Sequence, residues 1–253
     1  FPNRDIVIVP TASQRENAGP DFNVIFRDLG AGQVEFLPIR SREDCDNPSY
    51  GDMLDRATGI FMTGGNQLRL SSILGGTLVA QRIRRCNAAG VPVAGTSAGA
   101  SIMSEHMIAG GRGNRYPAGN GVSLAPGMGL TNAVIIDQHF TQRNRLGRLL
   151  AASSHNPFLI GLGIDEDTAA FIGADDVLEV IGSGTVTVVD AANLSYSSIW
   201  RARPGEALSL LGLNIDILSE GCRYDLVNRH AYPPDGEDYG FCSLPMGKAI
   251  DGN

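Results

Sequence analysis

No apolar run in this 253-residue sequence approaches the ~20 residues that a helical membrane span requires, so no span is expected. Positive charge is also in short supply. Against 27 acidic residues stand 20 basic ones, and the net charge of −7 argues against nucleic acid as the main partner. Cysteine is sparse: Cys45, Cys86, Cys222 and Cys242 form no C-x-x-C, and no histidine pair has zinc spacing, so no metal site is expected. A Cys222–Cys242 disulfide stays open, and four scattered cysteines do not set the redox compartment. No signal peptide and no internal repeat is visible. Residue 1 is Phe and the first strand-like run starts near residue 5, which leaves room for a removed upstream segment. What is present, 43% hydrophobic and 19% charged residues, describes an ordinary globular chain. Its length suffices for a sizeable core, as one domain or a main domain with an appendage.

The first two thirds alternate strand and helix. DIVIV (5–9), QVEFLPI (33–39), GIFMTGG (59–65), VPVAG (91–95), AVIID (133–137) and LIGLGID (159–165) read as strands. Between them lie an amphipathic stretch with Phe22, Ile25, Phe26 and Leu29, a helix over Leu78–Ala89, and another marked by Leu146, Leu149 and Leu150. Such alternation implies an α/β fold, a mainly parallel sheet with helices on both faces. After Thr168 the pattern changes. TAAFI, VLEVIG and TVTVVD, separated by GADD and GSG turns, predict antiparallel hairpins, and ALSLLGLNIDIL (207–218) adds one or two strands. The expected organisation is a single α/β domain over 1–226, its 168–226 part an antiparallel extension, and an extended tail over 227–253.

VPVAGTSAGAS (91–101) carries the chemistry. Gly95-Thr96-Ser97-Ala98-Gly99 fits G-x-S-x-G between an apolar strand and a helix-like stretch from Ala100 to Met107, the context of a nucleophile elbow. A tight turn of small residues would lift the Ser97 hydroxyl above the sheet edge and open a helix N-terminus to an oxyanion. Gly64-Gly65 also ends a predicted strand, so a glycine amide there is the candidate second oxyanion donor; Asn66 reads equally as a helix cap. Of histidines 106, 139, 155 and 230, only His139 follows a strand end with polar neighbours, which makes it the candidate general base. Asp165, Glu166 and Asp167 end the next strand and supply an orienting acid, without a choice among them. Asp137 is a fourth option, equally plausible as a substrate ligand. Arg143, Arg145 and Arg148 beside His139 offer bidentate forks for carboxylates; all three converge only if the first turn of that segment is not helical.

GTSAGA (95–100), TGGNQLRL (63–70), DQHFTQRNRLGRLL (137–150) and GLGIDEDTA (161–169) strongly resemble the cyanophycinases, of the peptidase E-like serine peptidase family. The similarity reaches about residue 226 and includes SREDCDNP and GSGTVTVVD. It implies a sheet similar to class I glutamine amidotransferases and hydrolysis of cyanophycin, a poly-aspartate with arginine on each side-chain carboxylate, to β-Asp-Arg dipeptides. It implies a triad of Ser97, His139 and Glu166, oxyanion donors at the amides of Gly65 and Ala98, and a substrate pocket lined by Asn66, Gln67, Asp137, Gln138, Arg143, Arg145 and Arg148. No cofactor is implied. The expected partners are the polymer and a second copy in a homodimer, with neither nucleic acid nor membrane. The location implied is cytoplasmic, or secreted if an N-terminal segment was removed. The family commonly carries an additional first strand, GGDQ where this chain has GGNQ with Asn66, and an acidic residue in the loop that here reads GGRGNRYPAGN. The competing readings are an aspartyl dipeptidase of the peptidase E type and a non-catalytic binding protein on the same fold.

Overall fold

Strand alternation decides how the first half of the molecule is layered. The computed structural model describes residues 4–111, 113 and 116–234. Its first half runs β1 (Asp5–Val9), α1 (Ala18–Asp28), β2 (Gln33–Phe36), α2 (Pro48–Arg56), β3 (Gly59–Met62), α3 (Gln67–Leu74), α4 (Leu78–Ala88), β4 (Val93–Gly95) and α5 (Ala98–Ser101). The four strands are all parallel, in the order β2-β1-β3-β4. Ile60 and Met62 of β3 join a core with Leu54 of α2, Leu70 and Leu74 of α3, and Val79 and Ile83 of α4. Phe61, between them, meets Phe22 and Phe26 of α1 on the opposite face, at ring centroids of 4.9 and 5.1 Å. Helices thus cover both faces of this sheet, as the alternation implied. Each aromatic pair of this kind adds about 0.5–1.5 kcal/mol beyond its buried area. α2 escaped the periodicity, but Asn47-Pro48 was its signal: Asn47 caps the helix by accepting from the Ser49 amide at 3.1 Å, and Pro48 is pre-set for a first helical turn.

The second half departs from the expected pattern. It runs β5 (His106–Gly110), β6 (Ser123–Pro126), β7 (Val134–Gln138), α6 (Leu146–His155), β8 (Ile160–Ile164), β9 (Thr168–Ile172), β10 (Val177–Gly182), β11 (Val186–Asp190), β12 (Tyr196–Ser197), β13 (Leu210–Leu211), β14 (Asn214–Leu218), β15 (Arg223–Asp225) and β16 (His230–Tyr232). β7 and β8 are parallel, but β11 pairs antiparallel with β8, and β14 with β11. Ile135 and Val189 face α6 through Leu149, Ala151 and Ala152. Val134, Ile136, Leu162, Val186 and Val188 face Leu178, Val180 and Tyr224 of a second sheet, ordered β16-β15-β10-β9 and wholly antiparallel. A β-layer therefore covers the face on which the sequence pattern expected a helix.

Three local expectations are corrected. The run after the elbow is a helix only over Ala98–Ser101, and His106–Gly110 is a strand paired with β6. A short apolar run suits either state, and here an available partner strand decides. β11 leaves the hairpin series for the β7–β8 sheet, because its VTVVD is buried on both faces and reads as a central strand. The chain beyond residue 226 is not simply extended: β16 adds to β15, and Arg229 pairs with Asp190 and donates to the Phe158 carbonyl at 2.6 Å. Cys242 and the rest of 235–253 lie outside the described residues, and so does the Cys222–Cys242 pairing. No helix among the described residues is long and apolar enough to cross a membrane.

Candidate active site

α5 packs against β3, β4 and β7, so the turn that precedes it lies where the two main sheets approach each other. Gly99 sets that contact. A Cβ on it would lie 2.1 Å from the Met62 carbonyl oxygen, so no larger residue lets the helix sit so close to β3. The turn forces Ser97 to φ 52° and ψ −112°, outside the comfortable regions for an L-residue. Such strain costs on the order of 1–3 kcal/mol and persists where the surroundings over-determine it. It also presents the Ser97 hydroxyl away from its own helix, in the manner of an elbow.

His139 follows the last residue of β7, and it too has positive φ, 50°. The left-handed turn breaks the strand alternation, so Asp137 and His139 do not share a face as an unbroken strand would require. The imidazole Nε2 lies 3.0 Å from Ser97 Oγ, and Nδ1 lies 2.7 Å from Glu166 Oε1. Glu166 comes from the turn after β8, where its amide donates to Gln142 Oε1 at 3.2 Å. Nδ1–H donating to the carboxylate leaves Nε2 free to accept from the serine hydroxyl, the tautomer that a general base requires. Glu166 is half exposed and the His139 side chain is 24% exposed, so the hydrogen-bonded chain opens directly to solvent.

The other acids of the cluster are placed differently. Asp165 is buried, and both its oxygens are occupied by Thr141 and Thr185. Burial pushes its carboxyl up, but those hydrogen bonds outweigh the effect and hold it below the usual carboxylate value. Asp167 turns through φ 53° in the loop to β9.

Among described residues, the amides of Gly65 and Ala98 donate to no protein carbonyl. The Gly64–Gly65 loop abuts Ser97: a Cβ on Gly64 would come within 3.3 Å of Ser97 Cβ. Gly65 has φ 147°, and a Cβ there would strike the Ala12 carbonyl at 2.1 Å, so only glycine turns the amide this way. Asn66 is the cap of α3, its Oδ1 accepting from the Arg69 amide at 3.0 Å. Gln67 is held by its Nε2, which donates to the carbonyls of Ile108 and Ala109 at 3.3 and 3.1 Å.

The arginines separate into two roles. Thr141–Arg143 forms a 3-10 turn, Asn144 is left-handed, and α6 starts only at Leu146, so the first turn is indeed not α-helical. Arg143 is exposed and has no side-chain partner among the described residues. Arg148 is 4% exposed and grips Asp137, itself 1% exposed, through Nε at 2.8 Å and through Nη2, while Nη1 donates to the Gly111 carbonyl at 3.0 Å. Arg145 donates through Nη1 to Gln138 Oε1 at 2.8 Å, to the Gln138 carbonyl and to Asp137 at 3.4 Å. Burial, and then the charge of Arg148, lower its pKa from the ordinary value. Gln138 in turn donates through Nε2 to Ser101 Oγ at 3.2 Å. Asp137, Gln138, Arg145 and Arg148 thus form an internal polar network beneath the site, and the two forks are already engaged. The carbonyl of Gly111 and the threonines on Asp165 had no signature in the sequence; Thr141 lay two residues from His139, but Thr185 had no local cue.

A buried ion pair that loses one partner leaves the other charge stranded, at a cost of about 3–5 kcal/mol. Arg148→Ala is therefore expected to lower stability by about 3 kcal/mol, because Arg145 stays near Asp137 and offsets part of the loss. Urea unfolding of the variant checks this. A loss below about 1 kcal/mol would mean that Asp137 does not depend on Arg148.

Among the described residues no group of three or more His, Cys, Asp or Glu could hold a metal ion. Burial pushes the thiols of Cys45 and Cys86 up, which keeps them neutral and poor ligands. The site brings a hydroxyl, an imidazole and a carboxylate into one hydrogen-bonded chain, near two amides that donate to no protein carbonyl among the described residues. At the carboxyl ends of parallel strands in an α/β sheet, that is the chemistry of a serine hydrolase.

Similarity to known proteins narrows the class. The model of peptidase family S51 matches residues 2–180, and the chain belongs to that family. It is 42% identical over 231 residues to a cyanophycinase of Geminocystis herdmanii, covering 90% of this chain and 84% of the relative. It is 43% identical to a cyanophycinase of Trichormus variabilis, covering 90% and 77%. The crystal structure of a peptidase from an acI-B1 actinobacterium superposes with a TM-score of 0.62 at 25% identity, over 87% of this chain and 83% of that one.

Proposed function

We propose that this chain degrades cyanophycin as a serine peptidase, releasing β-Asp-Arg dipeptides. One observation carries the reading: a serine–histidine–glutamate chain at hydrogen-bonding distance in a protein 42–43% identical, over nine tenths of its length, to relatives named for that activity. Ser97 Oγ attacks the scissile carbonyl as His139 Nε2 takes its proton. The amides of Gly65 and Ala98 hold the developing oxyanion. The imidazolium, stabilised by Glu166, passes the proton to the leaving nitrogen, and water then releases the acyl group by the reverse sequence. No step calls for a metal or an organic cofactor.

The same proposal assigns substrate recognition to the exposed Arg143, with Asn66 and Gln67 at the rim of the site. Asp137, Gln138, Arg145 and Arg148 support that surface from below. The half-exposed Glu166 and solvent-facing histidine favour a polymer, which must lie across an open site, over a dipeptide enclosed in a pocket. We also assign the sheet to the class I glutamine amidotransferase type and the active species to a homodimer.

The test is incubation with insoluble cyanophycin, a synthetic β-Asp-Arg polymer and α-linked aspartyl dipeptides, with the products identified by mass. Release of β-Asp-Arg from the polymers alone is the expected result; cleavage of the α-dipeptides alone overturns it. Arg143→Ala should cut kcat/KM on cyanophycin by about 10-fold, equivalent to roughly 1.4 kcal/mol, and leave hydrolysis of p-nitrophenyl acetate unchanged. Equal losses on the two substrates would remove Arg143 from carboxylate recognition.

A further inference from the structure

Two carboxylates stand side by side at the end of β8, and only Glu166 faces His139. Asp165 is buried, and its four hydrogen bonds reach two other strand ends. Oδ1 accepts from the Thr141 amide at 3.0 Å and from its hydroxyl at 2.7 Å. Oδ2 accepts from the Thr185 amide at 3.2 Å and from its hydroxyl at 2.8 Å. Thr141 lies two residues beyond His139, and Thr185 lies immediately before β11. The Asp165 amide donates back to the Thr185 carbonyl at 3.2 Å, and the Phe140 amide to the Ile164 carbonyl at 3.2 Å. A second bridge supports the Glu166 side: Thr168 Oγ1 donates to the Glu166 carbonyl at 3.0 Å and accepts from the Gly184 amide at 2.9 Å.

The chain around this point is under strain. His139 and Asp167 both have positive φ, so the segments that carry the base and follow the acid would relax unless held. The Ser97, His139 and Glu166 side chains tie these segments by one contact, Nδ1 to Glu166 Oε1, and the Glu166 amide adds one bond to Gln142 Oε1. Four donors converging on one buried carboxylate can hold them, because a hydrogen bond to an ionised acceptor is roughly twice as strong as a neutral one.

We propose that Asp165 is a positioning residue, whose carboxylate ties the ends of β7, β8 and β11 together and so fixes His139 against Glu166. This deepens the peptidase reading and rests on it. An asparagine at 165 has nearly the same shape but turns an NH2 toward one donor pair. A threonine hydroxyl can rotate away from it; the backbone N–H cannot. One strand end is then pushed off, and the imidazole moves with it. A misplacement of about 1 Å in a catalytic group costs up to about 100-fold in rate.

The experiment compares Asp165→Asn, Thr141→Val and Thr141→Ser in the full chain. It reads kcat and KM on cyanophycin, and the rate at which diisopropyl fluorophosphate labels Ser97, which requires no polymer. Asp165→Asn is expected to lower kcat and the labelling rate together by about 10- to 100-fold, with KM changed less than about twofold. Thr141→Val removes one of the two donors to Oδ1 and should cost about fivefold in both, while Thr141→Ser keeps the hydroxyl and stays near wild type. Labelling of Asp165→Asn within twofold of wild type overturns the proposal, and so does a Thr141→Ser variant as slow as Thr141→Val. Should Asp165→Asn fail to fold, the Thr141 pair decides alone. A wild type that is labelled at Ser97 yet releases no β-Asp-Arg dipeptide sinks the substrate reading and leaves the positioning test intact.

Discussion

Ser97→Ala is expected to lower kcat on cyanophycin by roughly 10⁶-fold, the loss seen when the nucleophile of a serine triad is removed. The oxyanion amides and the substrate surface survive the change, so a residual rate above the uncatalysed one remains. Stability should barely move. Ser97 Oγ makes its hydrogen bond to the partly exposed imidazole rather than to the core, and the residue holds φ 52° whether or not the hydroxyl is there. The measurement pairs kcat with a thermal melt of the same preparation. Activity within tenfold of wild type in a folded variant would eliminate Ser97 as the nucleophile.

The second large effect belongs to Glu166. Replacing the acid of a triad by its amide costs about 10⁴-fold in kcat, because the amide cannot stabilise the imidazolium and favours the wrong tautomer. Glu166 is half exposed, and water can solvate part of the developing charge. Glu166→Gln should therefore fall between about 10² and 10⁴-fold, toward the lower figure. Asp167→Asn, whose side chain holds no hydrogen bond among the described residues, should stay within about threefold of wild type, as surface changes usually do. Parallel kcat measurements on the two variants decide the matter: if Asp167→Asn is the damaging change, the acid has been misassigned.

What the sequence displayed and what it concealed divide along the range of the interactions. The elbow is local: five residues of G-x-S-x-G and the flanking runs define it, and the structure puts Ser97 on a strained strand-to-helix turn. His139 was legible for the same reason, as the one histidine just past a strand end. The choice among Asp165, Glu166 and Asp167 was not legible from spacing. It depends on a left-handed turn at 139 and on a threonine 20 residues downstream, neither of which leaves a periodic trace. The forks of Arg145 and Arg148 misled for a related reason. A charged run announces its donors but not whether a buried partner, here Asp137, has taken them. In the fold, period-2 and period-3.6 patterns placed the parallel strands and their helices. They did not reveal that one face of the β7–β8 sheet is covered by strands, because a buried strand presents the same apolar residues to a helix as to another sheet.

The position of β11 has a consequence for how the enzyme is made. The three members of the hydrogen-bonded chain have all been synthesised once residue 166 is added, and the family-wide match itself ends at residue 180. Yet β8, which carries Glu166, lies between β7 and β11, and Asp165 is anchored by Thr185. A nascent chain that has released only the first 180 residues from the ribosome exposes β8 as a bare edge and lacks the second anchor of its acid loop. A fragment that ends before Asp190 therefore leaves one edge of β8 without its β11 partner, and one that ends before Thr185 leaves Asp165 with only its contacts to Thr141.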